Sequence, residues 1–121
     1  GEVGGSIVSI ASLLSKRVSP GIMPYAVSKA GVAHMTRALA VEWAQHGIRV
    51  NAIAPGYFET ELNREYLRSD YAQTMIKRIP FRRIGELEEL SGPLLMLCSG
   101  AGSYVSGTVI SVDGAHAVNP F

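Results

Sequence analysis

Three short runs of β-branched and small residues punctuate the chain, separated by longer segments in which apolar positions recur at helical spacing. Residues 6–11, Ser-Ile-Val-Ser-Ile-Ala, are apolar or small on both faces, which predicts a buried parallel strand. The periodicity stops over residues 12–23, and Pro24 then opens a run of helix formers lasting to Gly47. Proline suits a first helical turn, where its missing N–H has no intrahelical partner, and Gly47 is placed to close the helix in a left-handed cap. Between Ala30 and Ala44 only His34, Thr36, Arg37 and Glu42 interrupt the apolar and small residues. A helix apolar nearly all round is covered on more than one side. A sheet and a second subunit are the expected covers, with Ala33 and Ala40 at the subunit contact.

Residues 48–54, Ile-Arg-Val-Asn-Ala-Ile-Ala, form a second predicted strand, stopped by Pro55-Gly56. Charged side chains then crowd residues 57–83 without a strong apolar stripe, so this stretch reads as short helices in a mobile surface excursion. Leu87, Leu90, Leu94, Leu97 and Cys98 recur at helical spacing over 86–99, with Pro93 near the helix start or kinking it. Residues 107–112 give a third strand, closed by Asp113-Gly114. Strand, helix, strand, helical excursion, helix and strand predict right-handed parallel crossovers in a three-layer α/β sandwich. In such sheets ligands bind beyond the carboxyl ends of the strands. Ser12, Tyr25 and Pro55-Gly56 all fall on that edge.

Composition narrows the class. The 121 residues are 47% hydrophobic and 17% charged, enough to bury a core. A net charge of +1 offers no broad field for nucleic acid or an acidic membrane. Lys77-Arg78 and Arg82-Arg83 read as a solvated hinge or, alternatively, as partners for an acidic substrate tail. Arg49, in mid-strand, is expected to pair with a neighbouring carboxylate. Cys98 is the single cysteine and His34, His46 and His116 are scattered, so neither a disulfide nor a metal site is expected. No membrane-length apolar run or secretory signal is visible, and a soluble cytoplasmic protein is expected.

Tyr25 and Lys29 carry the candidate chemistry. Four apart on a helix, they project to one side. A tyrosine titrates near pH 10, while a general acid or base works best near the operating pH, so a cation must close the gap. One ammonium at roughly 4 Å, in an effective dielectric of about 20, supplies about 4 kcal/mol. The same spacing also occurs as plain packing on helix surfaces.

Four stretches, in register, resemble the short-chain dehydrogenases/reductases, specifically the carboxyl-terminal half of that family. They are residues 5–12 (Gly-Ser-Ile-Val-Ser-Ile-Ala-Ser), 25–32 (Tyr-Ala-Val-Ser-Lys-Ala-Gly-Val), 47–56 (Gly-Ile-Arg-Val-Asn-Ala-Ile-Ala-Pro-Gly), and 103–107 (Ser-Tyr-Val-Ser-Gly) running to 112–114 (Val-Asp-Gly). The resemblance implies an α/β fold, with residues 1–121 as the carboxyl-terminal part of one doubly wound, Rossmann-like domain and 57–83 as its substrate loop. It implies an NAD- or NADP-dependent oxidoreductase acting on a secondary alcohol or ketone, assembled as a homotetramer or homodimer. Tyr25 would be the general acid/base, Ser12 would hydrogen-bond the substrate oxygen, and Lys29 would assist Tyr25 and hold the nicotinamide ribose. Pro55, Gly56, Phe58 and Thr60 would contact the cofactor, and Tyr57 the substrate.

Departures from the family pattern are as informative. Its Gly-rich pyrophosphate turn and its Asn-Asn-Ala-Gly segment are not found, Ser9 and Ala11 replace the usual Asn and Ser, and Ala115 replaces a common Gly. The amino-terminal half is expected to lie before Gly1, and these 121 residues alone are not expected to bind the cofactor productively. The competing reading is a non-enzymatic half domain serving as an assembly or binding module.

Overall fold

The computed structural model describes residues 4–17 and 19–119. Strands β1 (Gly5–Ile10), β2 (Ile48–Pro55) and β3 (Val109–Val112) form one parallel sheet in the order β1-β2-β3. Each strand matches its predicted run to within two residues. Helix α1 (Met23–Trp43) continues through a 3-10 turn, Ala44–His46, to Gly47, whose φ of +70° is the predicted left-handed cap. The excursion after β2 contains the short helix α2 (Asp70–Ile76), capped by the Ser69 hydroxyl.

The predicted helix over 86–99 is split. Leu87–Leu90 form a 3-10 turn closed by a capping box between Glu86 and Glu89, and α3 (Ser91–Cys98) follows with Pro93 in its first turn. A proline there forfeits no intrahelical bond, so the helix starts at it and does not kink around it.

The two long helices cover opposite faces of the sheet. Val32 of α1 packs with Ala11, Ala52, Ala54 and Val109. On the other face, Ser6 Oγ and Arg49 Nη1 donate to the Leu97 carbonyl of α3 at 2.6 and 2.9 Å. Three strands laid down in sequence with helices on alternate faces require crossovers of opposite hand. The three-layer arrangement therefore holds, but the expectation of two right-handed crossovers does not. The handedness rule governs compact βαβ units, whereas the connection from β2 to β3 first runs through the 56–90 excursion before α3 begins.

Burial is centred on β2, where Val50 to Ala54 are all buried. β1 departs from its prediction of full cover, with Ile7 and Ile10 40% and 53% exposed. Among the described residues Arg49 has no carboxylate partner; its guanidinium donates to the carbonyls of Leu97, Ser99 and Gly102 at 2.9, 3.2 and 2.6 Å, tying off the carboxyl end of α3. Ala33 and Ala40, expected at a subunit contact, are only 5% and 8% exposed and face this chain's own core. Alanine's small side chain lets α1 approach the sheet closely. Met23, Val27, Met35 and Val41 are large apolar side chains of α1 that are exposed. Among the described residues no helix is long and apolar enough to cross a membrane.

Candidate active site

Ser12 lies just past β1 in extended conformation and caps the 3-10 turn Leu13–Ser15, its Oγ accepting the Leu14 N–H at 3.1 Å. That bond occupies a lone pair, so the hydroxyl keeps its proton for another partner. Tyr25 stands in the first turn of α1, 48% exposed. Lys29 sets its Nζ 5.7 Å from the centroid of the Tyr25 ring and donates to the Ile10 carbonyl at 3.1 Å. The ammonium is thus fixed between the last residue of β1 and Tyr25, with further N–H groups to offer.

The end of β2 supplies the second wall. Gly56 donates to the Val112 carbonyl at 2.9 Å, and a Cβ at Gly56 would fall 2.7 Å from that of Asp113, so glycine is what lets the loops after β2 and β3 approach this closely. Phe58 bridges in parallel to Gly85. Asn63, which sequence reasoning missed, shapes the segment from Phe58 to Thr60. Its Nδ2 donates to the Phe58 carbonyl at 2.9 Å, its Oδ1 accepts the Thr60 N–H at 2.7 Å, and its own N–H reaches Thr60 Oγ1 at 3.3 Å. The Thr-x-x-Asn spacing is the signal that such local side-chain bonds leave in a sequence.

Tyr57 links this edge to a cavity of about 390 Å³ beyond the ends of β2 and β3, walled by Tyr57, Phe58, Ile79, Phe81 and Gly114. Ser12, Tyr25 and Lys29 do not line that cavity. Burial pushes the Tyr57 phenol up from its ordinary pKa, and the neighbouring phenols of Tyr66, Tyr71 and Tyr25 push the same way. The ring of Tyr57 lies 5.7 Å from that of His116, tilted by 40°. Burial and the charge of Arg17 push the His116 imidazole down, against an opposing pull from Asp113. His116, expected to be merely structural or solvated, therefore backs a predicted substrate residue.

Arg83 is not an open anion site. It grips both carboxylate oxygens of Glu89, at 2.7 and 2.9 Å, and this holds the Glu89 carboxyl down to about 2. Among the described residues no three His, Cys, Asp or Glu side chains gather as a metal site would need.

Comparison with known proteins agrees with the fold. The family model described as enoyl-(acyl carrier protein) reductase matches residues 2–115. Gluconate 5-dehydrogenase of Gluconobacter oxydans is 40% identical over 116 residues, covering 95% of this chain and 45% of that protein. A 3-oxoacyl-(acyl-carrier-protein) reductase of Thermotoga maritima is 46% identical over 114 residues, covering 94% of this chain and 46% of that one. The crystal structure of a gluconate 5-dehydrogenase from Burkholderia cenocepacia, in complex with NADP and tartrate, superposes with a TM-score of 0.87 at 37% identity, over 97% of this chain and 46% of that one. The chain thus spans about half the length of the relatives it matches. With four motifs in register, a parallel sheet covered on both faces and a family model matching almost end to end, the chain belongs to the short-chain dehydrogenase/reductase family.

Proposed function

We propose that the whole protein is a cytoplasmic NAD(P)-dependent oxidoreductase that interconverts a secondary alcohol and a ketone, and that residues 1–121 form the catalytic, carboxyl-terminal part of one Rossmann-like domain with 57–83 as its substrate loop. The observation that carries the reading is Lys29, whose ammonium is anchored 3.1 Å from the Ile10 carbonyl beside Tyr25, at the ligand-binding edge of the sheet.

The donors at that edge fit a nicotinamide riboside. Lys29 and Tyr25 present N–H and O–H groups to a ribose diol, and the Thr60 hydroxyl, which accepts from Asn63, keeps its own proton for a carboxamide or phosphate oxygen. When bound, the nicotinamide supplies or takes the hydride. Tyr25 gives its phenolic proton to the carbonyl oxygen of a ketone as that oxygen becomes an alcohol, and takes it back in the oxidative direction. Ser12 donates to the same oxygen and stabilises the charge developing there. Lys29, on the next turn of α1, keeps its ammonium beside the Tyr25 ring. Tyr57 faces the substrate, and Pro55-Gly56-Tyr57-Phe58 brings backbone up to the cofactor. The exposed apolar positions of α1 support a homo-oligomer, a tetramer or dimer.

The test uses the full-length protein with NADP(H) or NAD(H) and a panel containing gluconate-type hydroxy acids and 3-oxoacyl thioesters, the substrate classes in the names of its relatives. Reversible, cofactor-linked turnover of at least one member is expected. A full-length protein that binds neither cofactor and oxidises or reduces nothing would overturn the reading in favour of the assembly module.

A further inference from the structure

Resting on that reading of the site, we propose that Arg17 is a positioning residue for the substrate wall, acting through His116 on Tyr57. Arg17 leaves the loop after β1, only five positions beyond Ser12. Its Nη1 donates to the carbonyl of His116 at 2.6 Å and to that of Asn119 at 3.1 Å. Those two carbonyls bracket the 3-10 turn His116–Val118 that follows β3. The turn in turn lays the His116 ring against Tyr57. One guanidinium therefore ties the loop after β1, which carries Ser12, to the turn after β3, whose His116 meets Tyr57 on the loop after β2.

The rest of the turn is built to need such a tie. Ala115 enters it at φ +71°, a conformation that a Cβ disfavours, and the Asp113 carboxylate holds it there by accepting the N–H groups of Ala115 and Ala117 at 3.0 and 2.9 Å. Asn119 Nδ2 donates to the Arg78 carbonyl at 2.7 Å, fastening the far end to the excursion. The Nδ1 atom of His116 is buried and has no hydrogen-bond partner among the described residues, so the contact recorded for the ring is its tilted packing against Tyr57. Without Arg17 the carbonyls of His116 and Asn119 lose a charged donor that reaches across nearly the whole chain. The turn, its imidazole and the Tyr57 ring then lose their fixed relation to Ser12.

The experiment measures Arg17→Ala, Arg17→Lys, His116→Ala and the Arg17→Ala/His116→Ala double variant in the full-length enzyme. Arg17→Ala and His116→Ala are each expected to raise the KM of the alcohol or ketone by about tenfold, with cofactor KM within about twofold of wild type and kcat little changed. The double variant is expected to be no worse than either single one, because both act through one contact. Arg17→Lys, which can still donate to a carbonyl, recovers most of the loss. Amide exchange at 116–119 is a readout independent of activity, and Arg17→Ala should accelerate it by about tenfold. Faster exchange with unchanged substrate KM, additive penalties, or equal rises in cofactor and substrate KM would each overturn the positioning role. Absence of turnover in the wild type would instead count against the oxidoreductase reading, and the exchange measurement would still judge the tie.

Discussion

Asn51 shows what a single residue does here. It has no exposed surface, and its side chain donates to the Val105 carbonyl at 3.0 Å and accepts the Thr108 N–H at 3.1 Å. These bonds hold the segment that leads into β3, beside the backbone bonds from Gly107 N–H to the Val50 carbonyl and from Ala52 N–H to the Thr108 carbonyl, at 2.8 and 2.9 Å. Asn51→Ala removes the side-chain partners of two part-buried backbone groups, the Val105 carbonyl and the Thr108 N–H, each worth up to about 1–3 kcal/mol. A loss of about 2–4 kcal/mol in full-length stability is expected from the denaturant midpoint, and an unchanged midpoint would refute the role. Ser12, Tyr25 and Lys29 could be singled out as candidates from the sequence because short spacings relate them. Asn51, Arg49 and Arg17 could not, because each reaches carbonyls about 50 to 100 positions away in the chain and no local pattern records those partners. Ala115 was visible as a departure from the family's glycine, and its positive φ gives that departure a physical cost.

Among elements, strands were easier to read than helix relations. The β-branched runs marked β1, β2 and β3, but the placement of α1 and α3 on opposite faces depends on the path of the 56–90 connection, which hydrophobic periodicity does not encode. The division of 86–99 into a 3-10 turn and α3 was foreshadowed only by Pro93. The turn after β3 carries a pH prediction. Burial first, then Arg17, lowers the His116 pKa below its ordinary 6.5, while Asp113 opposes and Tyr57 faces the ring. The folded state then binds fewer protons than the unfolded one just below that value. The stabilisation is complete above about pH 6.5 and is lost as pH falls towards the lowered folded value. Thermal melts from about pH 7.5 down to 5.5 should therefore fall more steeply for wild type than for His116→Phe. Parallel slopes would contradict the burial of a neutral imidazole.

At the scale of the molecule, β1 and α1 both carry exposed apolar side chains. β1 lies at the sheet edge with Ile7 and Ile10 exposed, and α1 presents Val27, Met35 and Val41, the last 79% exposed. All-round apolarity of α1 was readable from the sequence, but which residues face the sheet was not, and Ala33 and Ala40 were assigned to the wrong side. In the full-length protein Val41→Glu is expected to lower the assembled mass in size-exclusion chromatography with subunit stability little changed, whereas Ala33→Glu buries a charge and unfolds the subunit. An unchanged oligomer in Val41→Glu would remove α1 from the interface.

The role proposed for Tyr25 is to move the proton. It is tested most directly by single-turnover hydride transfer in full-length Tyr25→Phe, with cofactor and substrate affinities measured alongside. Affinities within a few-fold of wild type and a transfer rate lower by at least roughly a hundredfold, the range lost with a general acid, are expected. A wild-type transfer rate in that variant would contradict it.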